Sequence, residues 1–188
     1  MLTRQEALDL LHSRMQSPNL RRHCYAVEVV MKSLAAKLGG DPEVWGIAGL
    51  LHDADYEITK TDTQKHTHLL LEWLTGVEER PEILEAIHAH AYGYVNNAPE
   101  PKNHMEWALY CCDELTGFIV AIALIRPEKK LSAVTVEAVV SKWNQKAFAK
   151  GVDREQIALC EQKLNIPLPE FIEIALTSMQ SIAPELGL

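Results

Sequence analysis

The chain has 188 residues, of which 47% are hydrophobic and 23% charged, and its formal net charge is −8. That length supports one sizeable core rather than two, and the composition is neither disorder-like nor of low complexity. The acidic balance and the lack of a basic run argue against a nucleic-acid groove built on broad phosphate neutralisation.

The N-terminus lacks the basic region and following apolar run of a signal peptide. No stretch approaches about 18 uninterrupted apolar residues, so no membrane span is expected. Cys24, Cys111, Cys112 and Cys160 form no C-x-x-C pair. They read as free thiols of a reducing cytoplasm.

Thr3-Arg4-Gln5-Glu6 is a capping box for a first helix reaching about Met15. Pro18-Asn19 is read as its breaker. A second helix is expected from about Leu20 to Leu38, ended by Gly39-Gly40. Its apolar positions include Leu20, Cys24, Val27, Met31 and Leu34. His23 falls on the same side and so faces the core. Asp41-Pro42 opens a third helix, apolar nearly all round and therefore buried, with His52-Asp53 at its end.

Residues 55–62 are polar and read as a loop. Helices are predicted over about 63–75 and 81–91. Between Tyr92 and Asn103, Gly93, Asn96-Asn97, Pro99 and Pro101 make the longest irregular segment, one able to overhang a site. A long apolar helix follows from about His104 to Ile125, and further helices fit 133–147, 154–164 and 170–183. Only Ala133 to Val136 imitates a strand. Without a repeat or linker, residues 1–188 read as one all-α domain. Its core, about 20–125, carries the candidate chemistry, and 126–188 is a helical extension packed on it.

The His52-Asp53 pair at the end of a buried helix is the sharpest feature. An isolated buried carboxylate costs several kcal/mol or shifts its pKa until neutral. A divalent cation removes that cost and uses the imidazole as well; a plain His–Asp hydrogen bond is the bland alternative. His23 and Asp113, on two other core-facing helices, favour the metal. Two imidazoles and two carboxylates suit Mn, Fe, Co, Ni or Zn, and Mg less well. The absence of cysteine ligands argues against a structural zinc. Helices converging on one ion is the arrangement of bundle-core metal sites.

The order His23, His52-Asp53, Asp113 resembles the H…HD…D signature of the HD-domain superfamily of metal-dependent phosphohydrolases. Arg22-His23 begins one helix, Leu50-Leu51-His52-Asp53 ends the next, and Asp113-Glu114-Leu115 lies in a later apolar helix. The resemblance covers roughly residues 20–125, and the tail resembles the C-terminal helices of small bacterial and archaeal HD proteins. It implies a bundle of about five core helices, a divalent cation, and hydrolysis of a small phosphorylated, nucleotide-like substrate.

Some members of that superfamily hold a second metal on extra histidines. Here His66, His68, His88 and His90 are available. His66 shares a helical face with Leu70 and Trp73, and His90 follows Ile83 and Ile87, which makes these two the inward candidates. The pair of adjacent histidines common in two-metal members is missing near position 88. His66 and His90 are therefore expected either as second-metal ligands or, beside Asp53 and Asp55, as groups that bind phosphate or carry protons. Arg22 and Lys60 are candidate phosphate contacts, with surface charge as their default. Glu114 points about 100° from Asp113 on a helix and fits solvent or the site equally. A non-catalytic nucleotide- or partner-binding regulatory module and an HD-type di-iron oxygenase are the other two readings. The apolar C-terminal helices could support a homodimer.

Overall fold

The computed structural model describes residues 2–78 and 80–188. Each early helix starts for a reason written in the sequence. α1 (Arg4–Arg14) opens on the capping box: Thr3 Oγ1 accepts from Glu6 N, and the Glu6 carboxylate accepts from Thr3 N at 2.8 Å. α2 (Pro18–Leu38) begins earlier than the pattern suggested. Pro18 is its first residue rather than a breaker, because Ser17 caps the turn and proline's fixed φ suits that position. Gly39, in the left-handed region, ends it. α3 (Pro42–Leu51) is capped by the Asp41 carboxylate and is buried along almost its whole length.

The predicted loop at 55–62 contains one helical turn, α4 (Tyr56–Thr59). The single helix expected over 63–75 is split: a 3-10 turn at Thr63–Lys65 precedes α5 (His68–Leu74). The break falls at His66-Thr67, where Thr67 has φ 66° and cannot continue a right-handed helix. α6 (Pro81–Ala89) is followed by α7 (His104–Leu124). The strand-like run at 133–136 forms a 3-10 turn, Leu131–Ala133, and the Thr135 cap of α8 (Val136–Trp143), a shorter helix than expected. α9 (Arg154–Leu164), capped by Asp153, then α10 (Leu168–Ser181) and α11 (Ala183–Leu186) complete the chain. Among the described residues there is no strand.

α7 is the central helix, touching α2, α6, α9 and α10. It is long and apolar enough to cross a membrane, but 67% of its most apolar stretch is buried by the rest of the protein, as in a core helix. Leu109, Leu115, Phe118 and Ile119 of α7 share one buried cluster with Ile157 and Cys160 of α9 and Phe171 and Ile172 of α10. The C-terminal helices are therefore part of the same core.

The seam between α2 and α3 positions the chemistry. A Cβ on Gly49 would fall 3.0 Å from the Val27 carbonyl and 3.1 Å from Glu28 Cα, so a larger residue would press the two backbones a few tenths of an ångström apart. His52 follows one turn later, and its Nε2 comes within 3.3 Å of Nε2 of His23 on α2.

Candidate metal centre

Six side chains from five parts of the fold meet at one end of a cavity. His23 comes from α2, His52 and Asp53 from the end of α3, His66 from the link before α5, His90 from the end of α6, and Asp113 from α7. Asp113 Oδ1 lies 2.9 Å from Nε2 of His23 and 3.5 Å from Nε2 of His52. The Asp53 carboxylate stands in the middle. Its Oδ2 is 3.7 Å and 3.8 Å from the same two nitrogens, and its Oδ1 is 3.3 Å and 3.6 Å from Nε2 of His66 and His90. Two overlapping sets, His23–His52–Asp113 and His52–Asp53–His90, each offer ligand atoms within 4.8 Å of one another.

The four imidazoles are oriented alike from behind. His52 Nδ1 faces the Gly49 carbonyl at 2.8 Å, and His90 Nδ1 faces the carbonyl of Ile87. His66 Nδ1 faces the Asp55 carboxylate at 2.7 Å. These partners only accept, so each Nδ1 donates. For His23 the partner is Thr116 Oγ1 at 3.2 Å. That hydroxyl already donates to the Asp113 carbonyl at 2.9 Å, so it too accepts from Nδ1. All four Nε2 atoms are thus turned into the cavity. His23 and His52 oppose theirs at 3.3 Å, His66 and His90 at 3.2 Å. Two lone pairs at such distances repel unless a cation or a proton lies between them.

The electrostatics are those of a cation site. Burial disfavours charge on His23, but the hydrogen bond and charge of Asp113, helped by Asp53, raise it to about 9. Burial would raise Asp53 and Asp113 as well. The surrounding imidazoles, His52 and His90 for Asp53, and His23 and His52 for Asp113, hold both carboxyls well below the usual range. Four imidazole nitrogens and two carboxylates, without a thiolate, are a borderline N/O donor set that fits a divalent transition metal. These residues therefore fit the expected metal.

The cavity in front of these ligands has a volume of about 630 Å³. Tyr92, Gly93 and Tyr94, from the irregular segment after His90, line it, together with Tyr56, Tyr110 and Glu114. Burial, and then repulsion from Asp113, push the Glu114 carboxyl up to about 7. Two sequence expectations need correction. Arg22 is exposed and sits beside Gly187, and Lys60 is exposed; neither lines this cavity. Asp55 is fully buried behind His66 and does not reach the cavity. His68 and His88 pack against each other, with ring centroids 5.2 Å apart, outside the cavity lining.

Sequence reasoning did not single out Thr116, the tyrosines or Gln156. Thr116 was accessible in principle, since three residues after Asp113 on a helix lies on the same face. The Tyr92-Gly93-Tyr94 triplet directly after His90 was a weaker cue.

An all-α bundle with an imidazole–carboxylate centre in its core is the architecture of a helical metal-centre protein. The HD domain family model matches residues 20–123, more than half of the chain. The chain belongs to the HD domain family.

Proposed function

We propose that this protein is a hydrolase of small phosphoesters that would work with two divalent cations, with Asp53 among the residues that would hold each. The observation that carries this reading is the division of the Asp53 carboxylate, one oxygen turned to His23 and His52 and the other to His66 and His90.

His23, His52 and Asp113 would hold one cation, His66 and His90 the other, and Asp53 both. Bound there, the cations supply Lewis acidity, lowering the pKa of a water and offsetting charge on a phosphoryl oxygen. The protein's own part is orientation. Thr116, Asp55 and the Gly49 and Ile87 carbonyls fix the four rings, so the ligands need little reorganisation on loading. With Nδ1 donated backwards and Nε2 on a cation, His66 and His90 would be ligands rather than proton carriers. Tyr92 and Tyr94 line the cavity where the organic part of a substrate would rest, and the partly exposed Asp113 and Asp53 leave the centre open to it.

The experiment is Asp53→Ala, with bound metal and phosphate release measured on the same preparation. Loss of at least one metal equivalent and of phosphate release is expected; full retention of both rejects the proposal. The same donor set also favours a di-iron oxygenase as the second reading. Iron stoichiometry with oxygen consumption, and no phosphate release, would select it.

A further inference from the structure

The outer half of the cavity is not built like a phosphate pocket. Among the described residues that line it there is no Lys and no Arg. The wall carries instead Tyr56, Tyr92, Tyr94 and Tyr110 and the carboxylates of Glu114 and Asp153. The two acids are held together, since Asp153 N donates to Glu114 Oε2 at 3.0 Å. Gln156 adds a further acceptor: its Nε2 donates to the Tyr110 carbonyl at 2.7 Å, which leaves its Oε1 for a ligand.

Cationic side chains of the neighbouring segments lie outside this lining. The Arg154 guanidinium donates to the Phe148 carbonyl at 2.6 Å and lies 4.6 Å from the centre of the Phe118 ring. Lys65 pairs with Asp62 at 2.9 Å. Lys150 lines a separate surface hollow that shares Gly151 and Asp153 with this cavity. One phosphoryl group can be neutralised at the inner centre, but a second or third would face Asp153 and a wall without a cationic side chain. An organic cation would meet Asp153, the Glu114 carboxyl and several tyrosine rings, whose attraction for a cation acts within about 6 Å of a ring centroid. Tyr92 and Tyr94 are 39% and 52% exposed, free to accept such a group.

We propose that the preferred substrates are phosphomonoesters whose organic part carries an ammonium group, and that the Tyr/Glu114/Asp153 wall selects against nucleoside polyphosphates. The proposal rests on the phosphohydrolase reading for its chemistry but not for its recognition. It is therefore tested by binding and by turnover separately.

The probes are phosphocholine, its neutral isostere with carbon in place of the quaternary nitrogen, AMP and ATP, with Mn-loaded protein. Calorimetry gives Kd and phosphate release gives kcat/KM. Phosphocholine is expected to exceed the other three by about tenfold or more in both. Asp153→Asn keeps the α9 cap, since asparagine caps as well as aspartate, and should reduce the preference over the neutral isostere to about threefold or less. Equal affinity for phosphocholine and its isostere, tighter binding of AMP or ATP, or no binding of any probe overturns the proposal. Selective binding with no phosphate released from any probe leaves the recognition standing and overturns the hydrolase reading instead. Turnover of all four without preference does the reverse.

Discussion

The carboxylate of Asp55 joins Nδ1 of His66 at 2.7 Å to the backbone nitrogen of Leu70 at 3.0 Å, with Asp55 wholly buried and His66 almost so. Both carboxylate oxygens are thus used as acceptors, one for the ring and one for α5. Asparagine has a single acceptor oxygen. In Asp55→Asn either Leu70 N–H loses its partner, or an amide N–H faces Nδ1 and moves the ring proton to Nε2. On the two-cation proposal, the cation held by His66 should then bind about 10–100-fold more weakly, while the one held by His23 stays within about threefold. Metal titration by calorimetry reads the two sites. Equal weakening of both would mean that Asp55 serves the fold alone.

Thr116 plays the corresponding part for His23. Its side chain is fully buried, so Thr116→Val keeps shape while removing the acceptor of the Nδ1–H. The first site should lose about tenfold in affinity, and the metal-free protein should lose about 1–3 kcal/mol of stability, since the Nδ1–H is left without its acceptor. A metal affinity equal to wild type would remove Thr116 from any positioning role.

Asp55 and Thr116 also mark how far the sequence could be read. Helices and core followed from apolar periodicity and caps, because those signals are local. His23, His52, Asp53 and Asp113 were legible because a core-facing ionisable group on a buried helix demands a partner. His66 was readable only as an inward face of a helix that in fact breaks beside it. What turns its ring is Asp55, which comes from the end of another helix. The tyrosine wall was illegible for the same reason: Tyr110 belongs to α7 and Tyr92 and Tyr94 to an irregular segment, and only the tertiary fold brings them to one cavity.

Metal binding should be coupled to a proton on His23. In the metal-free protein burial opposes its charge, but Asp113 and Asp53 raise it from 6.5 to about 9. A raised pKa stabilises the metal-free fold fully below 6.5, and that contribution fades as pH climbs through 9. The metal must displace this proton, so affinity at the first site should rise about tenfold per pH unit up to about 9 and then flatten. Titration at pH 7.5 in buffers of different ionisation enthalpy should report close to one proton released. Release of none would mean that His23 is already neutral or is not a ligand.

Gly49→Ala tests whether the α2–α3 seam sets the geometry of the centre. The new Cβ would meet Met31 Cγ and the Val27 carbonyl at 3.0 Å and Glu28 Cα at 3.1 Å. The methionine can turn aside, but the two backbone atoms of α2 cannot. Overpacking of this kind costs about 1–3 kcal/mol, against a gain of about 1 kcal/mol in helix propensity. The balance should be a loss of about 0–2 kcal/mol in urea unfolding, with weaker metal binding as His52 is pushed from His23. Gly117→Ala on α7 is the control. Nothing lies within 4 Å of its added Cβ, so propensity acts alone and the variant should gain about 0.5–1 kcal/mol. Two variants that gain stability alike, with unchanged metal affinity, would show that α2 and α3 tolerate separation and that the centre does not depend on their close approach.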